Sequence, residues 1–234
     1  MAEILKPFAD ETPRRPALVD DTGTTTWAQL DERVDRLINA LRSLGVGPGD
    51  VVAALVANRR EYYELFLAAA HGGFLVAPVN WHFVTDEVAY VLDNSEAKVL
   101  VADSRYGDVA VAAAQTAPGL RARIAIGDGL SGFDAYEAVL AAADPAEPEN
   151  QVTGGPMFYT SGTTGRPKGV RSALLSGGQL PVAVLSLMGA GFAASMGCPA
   201  KGVTFLNGPL YHSAQWAFSL FPMLAGSSVV IQHK

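Results

Sequence analysis

Residues 159–170 read YTSGTTGRPKGV. Within them, Thr160, Ser161, Gly162, Thr163, Thr164 and Gly165 supply four hydroxyls and two residues without a Cβ. Glycine permits positive φ and lets a ligand approach the main chain closely. Successive N–H groups in such a turn converge into a concave anion site. Ser and Thr hydroxyls rotate to suit a phosphate oxygen. Arg166 and Lys168 add positive charge, and Pro167 fixes φ between them. The apolar run Pro156-Met157-Phe158-Tyr159 reads as a strand leading into the loop. The stretch is expected to wrap a polyphosphate, with Thr160, Ser161, Gly162, Thr163, Thr164, Gly165 and Lys168 as the binding residues.

The spacing from Gly162 to Lys168 matches the G-x-x-x-x-G-K-[ST] loop of common NTPases. Pro167, however, stands where that loop needs its second glycine, and Gly169 stands where it needs a magnesium-binding hydroxyl. Pro167 and Gly169 also oppose the helix start that such a loop requires. A surface loop with no ligand is the plainer alternative, since Gly/Ser/Thr clusters mark loops generally. The order of hydroxyls, glycines and the Pro-Lys-Gly ending argues against it.

Upstream of the loop, strands and helices alternate. Thr26-Trp27-Ala28-Gln29 has the form of a capping box. Leu30, Val34, Leu37, Ile38, Leu41 and Leu44 follow at helical spacing, with Asp31, Glu32, Arg33, Asp35 and Arg36 off that stripe. Gly45 is placed to end the helix. Residues 51–56 are continuously apolar, as a strand buried on both faces requires. Helices are expected at 60–71, 107–116 and 133–142, and at 85 onward with Thr85 as the cap. Strands are expected at 74–79, 99–102 and 124–126. This alternation specifies a parallel sheet covered by helices. Residues 143–151, ADPAEPENQ, read as a linker. Beyond the loop come a strand at 203–206, a helix at 214–224 stopped by Gly226, and a strand at 228–232.

The chain has 234 residues, 49% of them apolar, and a net charge of −6. With no basic run, a nucleic-acid partner is not expected. The single cysteine, Cys198, excludes an internal disulfide and fits a cytoplasmic, reducing setting. The N-terminal residues lack the apolar core of a secretory signal. No charged residue lies between Arg171 and Lys201, but the segment is broken by glycines and prolines. Its longest convincing apolar run, 182–188, falls well short of the ~20 residues of a membrane span. A buried helix flanked by loops is expected there. His71 reads as structural, His82 as a residue at an opening, and Cys198 as a small buried side chain. Trp216 and Phe218 read as core or pocket wall.

TSGTTGRPKGV, residues 160–170, resembles the phosphate loop of the adenylate-forming enzymes: acyl-CoA synthetases, luciferases and peptide-synthetase adenylation domains. Residues 26–80, from TWAQLDERVDRLINALRSLGVGPGD to LVAPVN, are similar to the region that precedes that loop in the family. DEVAYVLDNSEAKVLVAD, residues 86–103, resembles the next unit. PLYHSAQW, residues 209–216, resembles the motif whose histidine lies beside the acyl pocket, which implies Tyr211 and His212 as pocket residues. The likeness is greater to fatty-acid CoA ligases than to luciferases. It implies an α/β fold of parallel-rich sheets covered by helices, the front half of the family's large N-terminal domain. Residues 1–150 would form a first α/β subdomain region, and 151–234 the phosphate-loop region and the start of a second.

The same resemblance implies ATP, Mg2+ and CoA as cofactor and co-substrates, and an apolar carboxylic acid as substrate. The acid would attack the α-phosphorus of ATP, and a thiol would then attack the acyl-adenylate. The family's later motifs have no counterpart here: the magnesium-binding acid, the ribose aspartate, the hinge and the C-terminal lysine. The chain is therefore expected to be inactive alone as a ligase fragment, or to be a non-catalytic, self-associating or partner-binding remnant. A homodimer that buries the sheet edge at 203–206 and 228–232 is one expected outcome, and disorder over 171–196 the other.

Overall fold

Residues 4–160, 166–171 and 181–233 are described in the computed structural model. Chain order is Lys6–Glu11 (α1), Pro16–Asp20 (β1), Gly23–Thr26 (β2), Trp27–Ser43 (α2), Val51–Leu55 (β3), Arg60–Gly72 (α3), Leu75–Pro78 (β4), Thr85–Asn94 (α4) and Val99–Asp103 (β5). Gly107–Gln115 (α5), Ala122–Ile126 (β6), Asp134–Ala135 (β7), Tyr136–Ala142 (α6), Gly155–Thr160 (β8) and Lys168–Arg171 (β9) follow. The last elements are Val182–Ser195 (α7), Val203–Leu206 (β10), Ser213–Leu224 (α8) and Ser228–Ile231 (β11).

Helix α2 forms as its sequence specifies. The Thr26 hydroxyl accepts from the Gln29 N–H, and the Gln29 side chain accepts from the Thr26 N–H at 2.9 Å. At the other end Gly45 takes φ 79°, Gly45 N–H donates to Arg42 O, and Val46 N–H donates to Leu41 O. Those two bonds are a Schellman stop, which needs a residue tolerant of positive φ at this point. Leu30, Val34, Leu37, Ile38 and Leu41 are buried.

Among the described residues one sheet has seven strands in the order β7-β6-β5-β3-β4-β8-β9, parallel except for β9. The other has four, in the order β10-β11-β1-β2, with only β2 antiparallel. Strand β3 shows why its residues are apolar without alternation. Val52 and Ala54 face a core shared with α2, α3, α8 and the four-stranded sheet, while Val51, Ala53 and Leu55 face the α4 and α5 side. Each sheet draws strands from both sides of residue 150: β8 and β9 join the first, and β1 and β2 join the second.

Several expectations are corrected. The helix expected at 133–142 starts at Tyr136, because Asp134 and Ala135 pair in parallel with Ile124 and Ala125. Val84, not Thr85, is the N-cap of α4, and the Glu87 carboxylate accepts the Val84 N–H at 3.0 Å. Residues 143–151 are not a free linker. Arg36, Asn39 and Arg42, on the polar side of α2, donate to the carbonyls of Ala143, Asp144, Ala146, Glu149 and Asn150. Helix α7 buries only Val182, Leu185, Gly189 and Ala193, and Leu187 is 73% exposed. Phe218 is half exposed and Cys198 only partly buried. Strand β11 is not a bare edge: β10 covers one side and β1 the other. Among the described residues no helix is long and apolar enough to cross a membrane.

Asp35 lies off the apolar stripe in sequence yet is buried, and its Oδ1 has no hydrogen-bond partner. Burial pushes its pKa up to about 7, helped by the carboxylate of Asp31 one turn earlier. The native carboxyl holds its proton up to about pH 7, whereas the unfolded chain releases it near pH 4. The native state binds more protons across that window, so stability falls as pH rises through it. Asp35→Asn keeps the shape and removes the charge. After discounting for solvent screening, a gain of about 1 kcal/mol at pH 8 is expected, about 2–4 °C in Tm. Calorimetry should show that gain shrinking as the pH is lowered toward about pH 4, the unfolded-state value; an equal gain at both ends would contradict it.

Candidate functional site

The quoted stretch ends in a β-hairpin rather than a helix. Strands β8 and β9 run antiparallel with Met157 opposite Arg171, Phe158 opposite Val170, Tyr159 opposite Gly169 and Thr160 opposite Lys168. That register explains the glycine of Pro-Lys-Gly. A Cβ on Gly169 would stand 2.3 Å from the end of Met157 and 3.2 Å from the Tyr159 ring. The loop therefore opens into a strand, unlike the NTPase loop, which opens a helix. Ser161, Gly162, Thr163, Thr164 and Gly165 lie outside the described residues. Thr160 and Lys168 close the hairpin as the last paired residues, both exposed.

A cavity of about 400 Å³ opens beside this hairpin, lined by Pro78, Asn80, Phe83, Phe158, Tyr159, Thr160, Pro167, Tyr211, His212 and Ser213. It sits at the C-terminal ends of β4 and β8, where parallel sheets characteristically offer ligand sites. The start of α8 supplies its other wall. His212 is the N-cap of α8 but makes no side-chain capping bond. The first N–H groups of a helix and its dipole favour an anion at this point. Thr160 at one side and Tyr211, His212 and Ser213 at the other thus face one space. The Lys168 side chain is not among its walls.

Asn58, just past β3, fixes the loop before α8. It is buried, its amide donates to Gly208 O at 2.9 Å, and its carbonyl oxygen accepts the Leu210 N–H at 3.0 Å. Tyr211 stands edge-on to Trp81, with ring centroids 4.7 Å apart, and leans on His212 at 4.5 Å. Trp81 in turn stacks on Tyr106 at 6.4 Å. Burial raises the pKa of Tyr211, and of Tyr159 to about 12, so both are phenols at neutral pH.

Sequence reading passes over Pro78, Asn80, Phe83, Phe158 and Ser213. The signal available was position: Asn80 and Phe83 directly follow a buried strand at its carboxyl end. Asn58 carries no local signal, since its partners lie some 150 residues away. His71 stands apart from the cavity. Its ring is buried with Nδ1 3.0 Å from Gln151 Oε1, and burial pushes its pKa down to about 4. His82 is exposed next to Trp81 and is not a wall of the cavity.

Parallel-rich sheets covered by helices, with a cavity at the carboxyl ends of β4 and β8, define a protein of the α/β class. The family described as AMP-binding enzyme matches residues 5–234, and this chain belongs to it. A 3-oxocholest-4-en-26-oate–CoA ligase of Rhodococcus rhodochrous is 33% identical over 178 residues, 73% of this chain and 32% of that protein. A feruloyl-CoA synthase of Amycolatopsis is 31% identical over 225 residues, 95% of this chain and 41% of that protein. The N-terminal domain of FACL13 from Mycobacterium tuberculosis, solved with an inhibitor, superposes with a TM-score of 0.80 at 26% identity. That match covers 98% of this chain and 56% of the solved one. The chain thus spans less than half the length of these two curated relatives.

Asn58→Ala leaves the Leu210 N–H and the Gly208 carbonyl without their partner. A loss of about 1–3 kcal/mol in urea unfolding is expected. An unchanged midpoint would show that the loop before α8 is held by other contacts.

Proposed function

We propose that this chain forms the phosphate- and acyl-side part of an ATP-dependent acid:CoA ligase. The observation that carries the reading is the meeting of Thr160 and Pro167, the two limbs of the phosphate-loop hairpin, with Tyr211 and His212 at one cavity. In the reaction a carboxylate oxygen bonds to the α-phosphorus of ATP, the α–β phosphoanhydride breaks, and pyrophosphate leaves. A CoA sulfur then bonds to the acyl carbon and AMP leaves. The protein's work is positioning and charge neutralisation, not covalent help. Thr160, residues 161–165 and Lys168 would hold the β- and γ-phosphates. The N-terminus of α8 would favour negative charge at the cavity, and the Tyr211 and His212 rings would flank an apolar acid. Among the described residues no three His, Cys, Asp or Glu gather as metal ligands.

Taken by itself, the chain is read as inactive in adenylation. It matches 32% and 41% of the two relatives' lengths, and the family resemblance assigns the α-phosphate lysine and the magnesium carboxylate to later motifs. Loss of one charge contact in a transition state costs about 10²–10³ in rate. A second reading, a non-catalytic and self-associating unit, is favoured by one specific feature. Val203 and Phe205 on the edge strand β10 are 71% and 61% exposed, and Leu187 and Phe218 are exposed on α7 and α8. Apolar edges of this kind invite pairing, and a homodimer would cover them.

Calorimetric titration of pyrophosphate tests the phosphate reading. Lys168→Ala combined with Thr163→Ala should weaken binding about tenfold or more, since each removes a charge-assisted contact. Unaltered binding in that double variant would place the phosphate site elsewhere. Acid-dependent exchange of labelled pyrophosphate into ATP by the homogeneous chain should stay at background, and clear exchange would refute inactivity.

A further inference from the structure

We propose that Tyr90 and Asn94 on helix α4 are positioning residues that hold the two limbs of the phosphate-loop hairpin, and that Tyr90 thereby sets the loop's affinity for a diphosphate. This rests on the reading of residues 160–168 as a phosphate site. The Tyr90 hydroxyl donates to the Pro167 carbonyl at 3.0 Å, on the limb that leaves the loop. The Arg166 guanidinium stands 5.0 Å from the centre of the Tyr90 ring, within cation–π range. One turn on, Asn94 Oδ1 accepts from the Tyr159 hydroxyl at 2.9 Å, on the limb that enters the loop. Residues four apart on a helix face the same way, so one face of α4 meets both limbs.

The helix is a firm anchor. Val88, Val91 and Leu92 bury its opposite side in the core of the seven-stranded sheet. A small cavity of about 250 Å³, lined by Phe83, Asp86, Glu87, Tyr90, Arg166 and Pro167, lies at the contact. Pro167 has no N–H, so its carbonyl is its only polar backbone group, and Tyr90 takes it. The ladder already pairs Thr160 with Lys168, and the Tyr90 bond adds a hold on Pro167, the next residue into the loop. That hold fixes the backbone at Pro167, between Arg166 and Lys168, the two charges that would meet a diphosphate. Holding a loop in its bound form lowers the ordering cost of binding. Tyr90 does not wall the 400 Å³ cavity beside Tyr211 and His212, so its effect runs through Pro167 and Arg166.

The test is calorimetric titration of inorganic pyrophosphate into the wild-type chain, Tyr90→Phe, Tyr90→Leu and Asn94→Ala, with Tm measured on the same samples. Tyr90→Phe should weaken binding about three- to tenfold, the worth of one net hydrogen bond. Tyr90→Leu should weaken it further, because Arg166 also loses its ring. Tm should stay within about 2 °C, and amide exchange at Lys168–Arg171 should quicken in Tyr90→Phe. A role in packing alone would lower Tm and leave the affinity of the folded protein unchanged. If Tyr90→Leu fails to fold, Tyr90→Phe decides, since it removes one hydroxyl and keeps the ring. Wild-type-like affinity and exchange in Tyr90→Phe would overturn the proposal while leaving the phosphate site standing. A wild-type chain that binds no pyrophosphate would remove that site, and this proposal with it.

Discussion

Helix α3 has almost no solvent face: every residue from Glu61 to Gly72 is buried. A helix enclosed on all sides must be met by apolar surface from several directions, and that requirement organises the molecule. Tyr62 stacks on Phe66 at 5.1 Å, and Phe66 meets Trp216 of α8 edge-on at 5.9 Å. The Arg60 side chain, at the helix start, donates to Asp20 at 3.0 Å and Thr25 at 2.8 Å, which ties the β1–β2 hairpin to it. Both sheets are thereby held against one helix, and the ends of β4 and β8 come to face the start of α8.

Enclosure brings charged groups inside, and their pairing follows. Glu64 is 1% exposed, accepts two bonds from Arg33 at 2.7 and 3.1 Å, and accepts the Tyr136 hydroxyl at 2.7 Å. Arg33 also holds Glu137 of α6. An unpaired buried carboxylate would be far more costly than this cluster, which also fixes α6 against α2 and α3. The same logic holds at Arg59, which bridges Glu61 and the fully buried Asp103.

What was legible in the sequence was local. The Thr26–Gln29 capping box, the Gly45 stop and the apolar run of β3 each express a rule that acts within a few residues. Pairings between distant segments left no such trace. Leu18 pairs with Val229, and Asn58 bonds Gly208 and Leu210, across intervals that periodicity cannot register. Asp35 has the charge of a surface residue and the burial of a core one, so its type misleads. In the site, the residue types of the phosphate loop and of Tyr211-His212 stood out by motif. Asn80, Phe83 and Tyr90 did not, because their roles come from where β4 and α4 end up rather than from their neighbours in sequence.

The proposed phosphate site comprises residues 160–168 together with the start of α8. Backbone amide chemical shifts during titration with inorganic pyrophosphate test it most directly. The largest changes are expected at residues 160–168 and at Ser213, Ala214 and Gln215, with lesser ones along Tyr90 to Asn94. Changes centred instead on the pocket where Arg33, Arg36 and Arg60 stand among Glu32, Glu61, Glu64 and Glu137, with residues 160–168 unmoved, would contradict it.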